Sequence, residues 1–227
     1  IMYSPSEVLH AVCVGGKWGF IDDAGKERVP LRYDLTYGFT GGIAMVRSGG
    51  KWGLIDNTGT EKAPCRYDHI DSFFEDVAAV VNNGRYGFIS ETGVKLAACK
   101  YEEARGMSDG LAAVKTLGKW GFIDKQGRPS IPSIYSDVYS YSEGLAAVQS
   151  EDGKWGYIDT GGRAAIPSRF DHAEPFNGGF ARAKLNGVDY YIDTRGNCLY
   201  DYYSPLSDGS GAIVGYKGRY GMVDAAG

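Results

Sequence analysis

Histidine and cysteine are scarce in this 227-residue chain, with three of the first and four of the second. The cysteines, Cys13, Cys65, Cys99 and Cys198, show no Cys-x-x-Cys spacing and are too thinly spread for a secreted disulfide scaffold. They are expected as free thiols. Cys65 and Cys99 share a position in neighbouring segments, and a bond between them would need Cα atoms within about 7 Å. His69 and His172 fall at matching positions far apart in the chain, so neither a metal pair nor a catalytic pair is expected, and with His10 they read as surface residues. Excess positive charge is also missing: 24 basic residues against 28 acidic give a net charge of −4. Nucleic-acid binding, which needs a basic stripe, therefore has no support. No apolar run approaches the ~18 residues of a membrane span. The first residues lack the charged-then-apolar pattern of a signal peptide. The compartment is left open between cytoplasm and cell envelope or secretion.

Glycine and tyrosine, by contrast, are plentiful, at 34 and 17. The glycines recur on a period. A Lys-Trp-Gly-Phe-Ile-Asp segment begins at Lys17, and its copies place Trp18, Trp52, Tyr86, Trp120, Trp155, Asp189 and Tyr220 in one column. The steps are 34, 34, 34, 35, 34 and 31 residues. An acidic or Ser residue follows four positions on, as in Asp22, Asp56, Asp124, Asp159, Asp193 and Asp224. Three further on comes Gly25, Gly59, Gly93, Gly127, Gly162, Gly196 or Gly227. Then come Pro30, Pro64, Pro132 and Pro167, and an aromatic–acid pair exemplified by Tyr33-Asp34 and Tyr67-Asp68. Short apolar runs such as Ile43–Val46 and Leu145–Val148 close each unit. The sixth unit is degenerate, with Asp189 and Tyr190 where Trp and Gly stand elsewhere, and the seventh is a half unit. Six columns do not stay in register over seven copies by chance, so internal repetition decides the architecture.

The chain is accordingly expected to be all-β, a single repeat domain over 1–227. Aromatic and β-branched residues in the Trp-Gly segment predict a strand, on which Trp18 and Phe20 face one way and Gly19 and Ile21 the other. The Asp-x-x-Gly that follows predicts a turn, with the carboxylate accepting backbone N–H bonds and Gly supplying positive φ. A calcium loop would need alternating oxygen ligands that this spacing lacks. Proline is expected at a strand end or edge. One hairpin is marginal alone, so units must stack and bury the Trp between them. Counting six full units and a half favours an open twisted array, and a closed β-propeller of about six to seven blades is the alternative.

The Lys-Trp-Gly pattern resembles the bacterial WG-repeat (KWG) family over nearly the whole chain, from about Leu9. That resemblance implies a repeat module and names no single activity. From the residues themselves no nucleophile–base pair or phosphate loop emerges; Gly41-Gly42, Gly161-Gly162 and Gly178-Gly179 sit in turns without the strand-to-helix setting that phosphate binding needs. No catalytic residue, metal site or cofactor is expected, and the chain reads as a binding scaffold rather than an enzyme. The partner is expected to be a protein or peptide, with a glycan as the alternative. The basic column (Lys17, Lys51, Arg85, Lys119, Lys154, Arg219) reads as a solvated ladder balancing the turn carboxylates. Function should lie where units differ: at Asp189 and Tyr190, and in the tyrosines Tyr139, Tyr141, Tyr200, Tyr202 and Tyr203, because exposed tyrosines offer apolar faces at low entropy cost.

Overall fold

The computed structural model describes residues 9–207 and 210–224; Gly227 and residues 1–8, expected as a turn and a cap, lie outside them. Every regular element among the described residues is a β-strand, and the strands form seven small antiparallel sheets in tandem, none closed on itself. This is the all-β repeat array that the columns predict. The first sheet comprises His10–Val14, Lys17–Ile21 and Glu27–Tyr33. The second comprises Leu35–Thr40, Ile43–Ser48, Lys51–Asp56 and Glu61–Tyr67, and the third His69–Ile70, Val77–Asn82, Arg85–Ser90 and Lys95–Tyr101. The fourth runs over 104–135, the fifth over 137–170 and the sixth over 172–200, each again with four strands. The seventh comprises Tyr202–Pro205, Gly211–Tyr216 and Arg219–Asp224. A sheet thus runs from one aromatic–acid pair to the next, out of phase with the Trp-to-Trp count. The chain divides into two compact units, Ile1–Gly106 and Met107–Gly227.

The turn reading holds in atomic detail. Asp22 Oδ1 accepts from the backbone N–H of Ala24 and Lys26 at 3.0 and 2.9 Å. Asp56, Asp124, Asp159 and Asp193 repeat the bond pair two and four residues on. Gly25, the third residue after Asp22, has φ +76°, which only Gly adopts without strain. Proline departs from expectation in one respect. Pro30 sits inside the seven-residue strand Glu27–Tyr33, not at its end, but that strand is an edge and Pro30 faces solvent. Its missing N–H costs no ladder bond there.

The Trp-column glycine has a separate cause. A Cβ on Gly121 would lie 2.6 Å from the carbonyl oxygen of Ile131 and 2.7 Å from Pro132 C. Gly19, Gly53, Gly87 and Gly156 meet the same obstruction. The paired strand shifts register opposite these glycines and presses its backbone onto them, with proline (or Ala98, opposite Gly87) at the point of closest approach. The sixth sheet proves the rule by breaking it. Tyr190 fills the Gly column there, and the last strand shrinks from the seven residues of its fifth-sheet counterpart to three, Cys198–Tyr200. The segment that would cross the glycine is gone, so a side chain fits.

Burial follows the predicted faces. In the first unit, Phe20, Val29 and Tyr33 of the first sheet pack on Ala44, Val46 and Ile55 of the second. Trp52, Leu54, Ala63 and Tyr67 pack in turn on Ile70, Ala78, Val80 and Ile89 of the third. In the second unit, Trp120 and Phe122 pack on Val138, Ala146, Val148 and Ile158, and Trp155 and Tyr157 on Ala173, Ala181, Ala183 and Ile192. At these four joins, two within each unit, one sheet offers its Trp face forward and the next receives it on its Ala-x-Val face. All four cysteines are free thiols. Cys65 and Cys99 each sit in their own sheet against a carbonyl, that of Val46 and of Val80 respectively, and burial pushes both thiols up from their ordinary pKa.

Candidate functional site

The tyrosines singled out from sequence have unlike fates. Tyr141 is core: its ring is buried, meets Phe122 edge-on at 5.0 Å, and its hydroxyl donates to the Asp159 carbonyl at 2.8 Å. Burial pushes that phenol well above its ordinary pKa. With no free face and no free hydroxyl, it is corrected from surface binder to packing residue. Tyr139 is half-buried over Trp155 (ring centroids 5.5 Å), with His172 at the edge of the same cluster. Tyr190 packs on the fifth-to-sixth sheet core. Tyr200 is half-buried opposite Tyr191. Tyr203 turns toward the sixth sheet, where its ring meets Tyr191 at 5.1 Å.

Asp189 takes a partner rather than a ligand role. Arg182 Nη2 donates to its Oδ2 at 3.3 Å. Arg182 stands where the fifth sheet has Ala147, and Asp189 where it has Trp155. An apolar pair has been exchanged for an ion pair, which explains why Val188–Asp193 is less buried than its counterparts.

The seventh sheet assembles Tyr202 into something larger. Tyr202, Gly215 and Tyr220 stand side by side across its three strands. The rings of Tyr202 and Tyr220 meet edge-on at 5.5 Å, and a Cβ on Gly215 would lie 2.9 Å from Tyr220. The glycine thus floors the pair. Two residues along, Ile213 and Met222 share the face. Exposures are 44% for Tyr202, 38% for Ile213, 70% for Tyr220 and 72% for Met222. The matching fifth-sheet residues, Trp155 and Tyr157, are at 5% and 1%. Tyr220 was assigned above only as a repeat anchor; its column gave no sign that this one copy stands open.

A second feature was not read from sequence. In the first unit a cleft of about 280 Å³ opens between the second and third sheets. Tyr37, Gly38, Thr40, Ile43 and Met45 form one wall, and Ser72, Phe73 and Glu91 the other. Tyr37 lies parallel to Trp52 (5.0 Å, 7°) and is 69% exposed. The available signal was its column, shared with Tyr139 four residues after the aromatic of the pair. Glu91 sits among the variable residues of a turn, where nothing marks it.

Charge pairing differs from the sequence reading. The basic column pairs with the aromatic–acid column: Lys17 Nζ with Asp34 at 2.6 Å, Lys154 Nζ with Asp171 at 2.6 Å, and Lys51 with Asp68. The turn carboxylates pair instead with Arg28, Lys62 and Arg128. Each such strand pairs with the one bearing the next aromatic–acid residue, which brings Lys and Asp side by side. Lys17 lowers the Asp34 carboxyl, helped by the Gly49 N–H, and Lys154 with Gly187 does so for Asp171. His10 and His69 lie at the surface beside Asp23 and Asp71. Among the described residues no three His, Cys, Asp or Glu converge as metal ligands, and no helix is long and apolar enough to cross a membrane.

Several solved structures are similar to the chain at low identity and low TM-score. The computationally designed Ika8 protein is 13% identical with a TM-score of 0.42, over 98% of this chain and 82% of that one. A eukaryotic initiation factor is 13% identical at 0.48, over 98% and 72%. BamB from Moraxella catarrhalis is 14% identical at 0.37, over 96% and 77%. None of these likenesses bears on function. No curated protein is detectably similar in sequence. A family model described as "WG containing repeat" matches residues 18–52, 52–86, 86–120, 120–155 and 155–188. Those spans begin and end on the Trp column whose tryptophans fill the joins between sheets, and the chain belongs to the WG-containing-repeat family.

Proposed function

We propose that this repeat protein is a non-catalytic scaffold that holds a protein or peptide partner on the forward face of its seventh sheet. The observation that supports this is the face itself, on which Tyr202, Ile213, Tyr220 and Met222 are exposed side by side on one sheet. A face of this composition is built to meet another apolar protein surface. Rigid aromatic anchors in an apolar patch are what protein interfaces concentrate. The edge-on angle of 80° between the Tyr202 and Tyr220 rings makes a ridge rather than the flat platform on which a sugar ring stacks. The non-catalytic part of the reading rests on where reactive side chains go: the carboxylates cap turns and pair with cations, and His10 and His69 lie beside carboxylates.

The test is capture by the immobilised intact chain, run beside a Tyr220→Asp/Met222→Asp variant of unchanged circular dichroism. A partner held by the wild type and lost at least tenfold by the variant supports the proposal. Equal capture by both, or saturable binding on a glycan array instead, rejects it.

A further inference from the structure

We propose that the first-unit cleft receives an arginine side chain of a peptide. The site is distinct from the seventh-sheet face, and the inference does not rest on the function proposed above. The cleft's size is the first constraint. Small-molecule sites run from about 300 to 1,000 Å³, and this one, at about 280 Å³, suits a single long side chain. Its lining is the second. Ile43, Met45 and Phe73 give an apolar channel, each partly buried and held by the core cluster around Trp52. That channel fits an alkyl stem.

The head group is specified by the rest. Glu91 is the single charged residue among those lining the cleft, so the complementary ligand is a cation. Tyr37 presents an open ring that Trp52 holds flat from behind at 5.0 Å, so little side-chain freedom is lost on binding. A planar guanidinium stacks on such a ring and bonds a carboxylate with its fork, which an ammonium does less well. The chain already uses this chemistry: guanidinium groups lie over rings at Arg32–Tyr33, Arg47–Trp52, Arg66–Tyr67 and Arg169–Phe170, 5.0 to 5.9 Å from the centroids.

The experiment is an NMR titration of the intact chain with acetyl-Gly-Arg-Gly-amide. The matched peptide with citrulline, which keeps the shape and loses the charge, is the first control, and chitotriose is the second. Saturable shifts at the Gly38, Met45 and Glu91 amides with the arginine peptide, at least tenfold weaker with citrulline, are expected. Glu91→Gln should weaken binding five- to tenfold. Tyr37→Ala should abolish it and Tyr37→Phe should retain it, with the amides outside the cleft unshifted as the check on folding. Equal binding of arginine and citrulline, shifts with chitotriose alone, or no shift with any ligand overturns the proposal. Those outcomes leave the seventh-sheet reading standing, because Tyr202 and Tyr220 play no part in them.

Discussion

At the scale of single residues, position in the sheet decides what a repeated residue is for. Gly121 and Gly221 occupy the same column. Gly121 has a strand backbone pressed on it at 2.6 Å, whereas nothing lies within 4 Å of a Cβ on Gly221. Gly121→Ala should therefore cost about 1–3 kcal/mol, the range of overpacking in a tight site, and Gly221→Ala should be near neutral. Urea denaturation of the two variants measures the contrast, and equal effects would refute the close-approach account. The Trp column, the Gly column and the Asp-x-x-Gly turn were all legible in sequence because each is a local requirement repeated many times. Tyr141 was misjudged, since a tyrosine among tyrosines gives no sign of which ring turns inward. Tyr37 and Glu91 escaped because the cleft joins residues more than fifty apart, on two different sheets.

At the scale of elements, the joins between sheets carry a device that repetition alone does not announce. In the second unit, Ser108 Oγ donates to the Tyr141 carbonyl at 2.7 Å, and Ser142 Oγ to that of Phe176 at 2.7 Å. Beside them, Asp109 Oδ2 accepts from Gly144 N–H at 2.8 Å, and Glu143 takes both Gly178 and Gly179 N–H at 2.6 and 2.9 Å. Asp109 and Glu143 hold left-handed backbones, φ +50° and +55°; the turn is strained so that each carboxylate reaches the next sheet. Charge-assisted bonds of this kind are the stronger ones. At an exposed site, loss of the pair in Glu143→Ala should cost about 1 kcal/mol, read as a lower midpoint in chemical denaturation. An unchanged midpoint would show the staple to be idle. Where other joins carry tryptophan, the sixth sheet has Asp189 paired with Arg182 and meets the seventh through the Tyr191 and Tyr203 rings, a departure that the degenerate sixth motif foretold without revealing its ion pair.

At the scale of the whole molecule, the turn and pair carboxylates give stability a definite pH dependence. Burial opposes ionisation of Asp56, but the Thr58 hydroxyl, Lys62 and two backbone N–H groups outweigh it and hold the carboxyl well below the usual carboxylate range. Asp22, Asp34, Asp68, Asp124, Asp171 and Asp193 are lowered as well. A carboxyl depressed on folding contributes stability above its unfolded pKa of about 3.9, and that contribution is lost as pH falls through the folded value. Thermal midpoints should therefore hold near neutral pH and drop below about pH 4. Asp56→Asn should lower the midpoint at pH 7 and flatten the acid decline. A decline as steep in that variant as in the wild type would remove Asp56 from the account. The sequence by itself determined the all-β class, the repeat, the turns and the alternating faces, because strand period, glycine φ and carboxylate capping act within a few residues of each other. Only the tertiary structure decided which copies of a column are covered, which carboxylate each lysine meets, and where Tyr37 and Glu91 face one cleft. Those depend on which sheet lies against which, and a column of identical letters does not encode it.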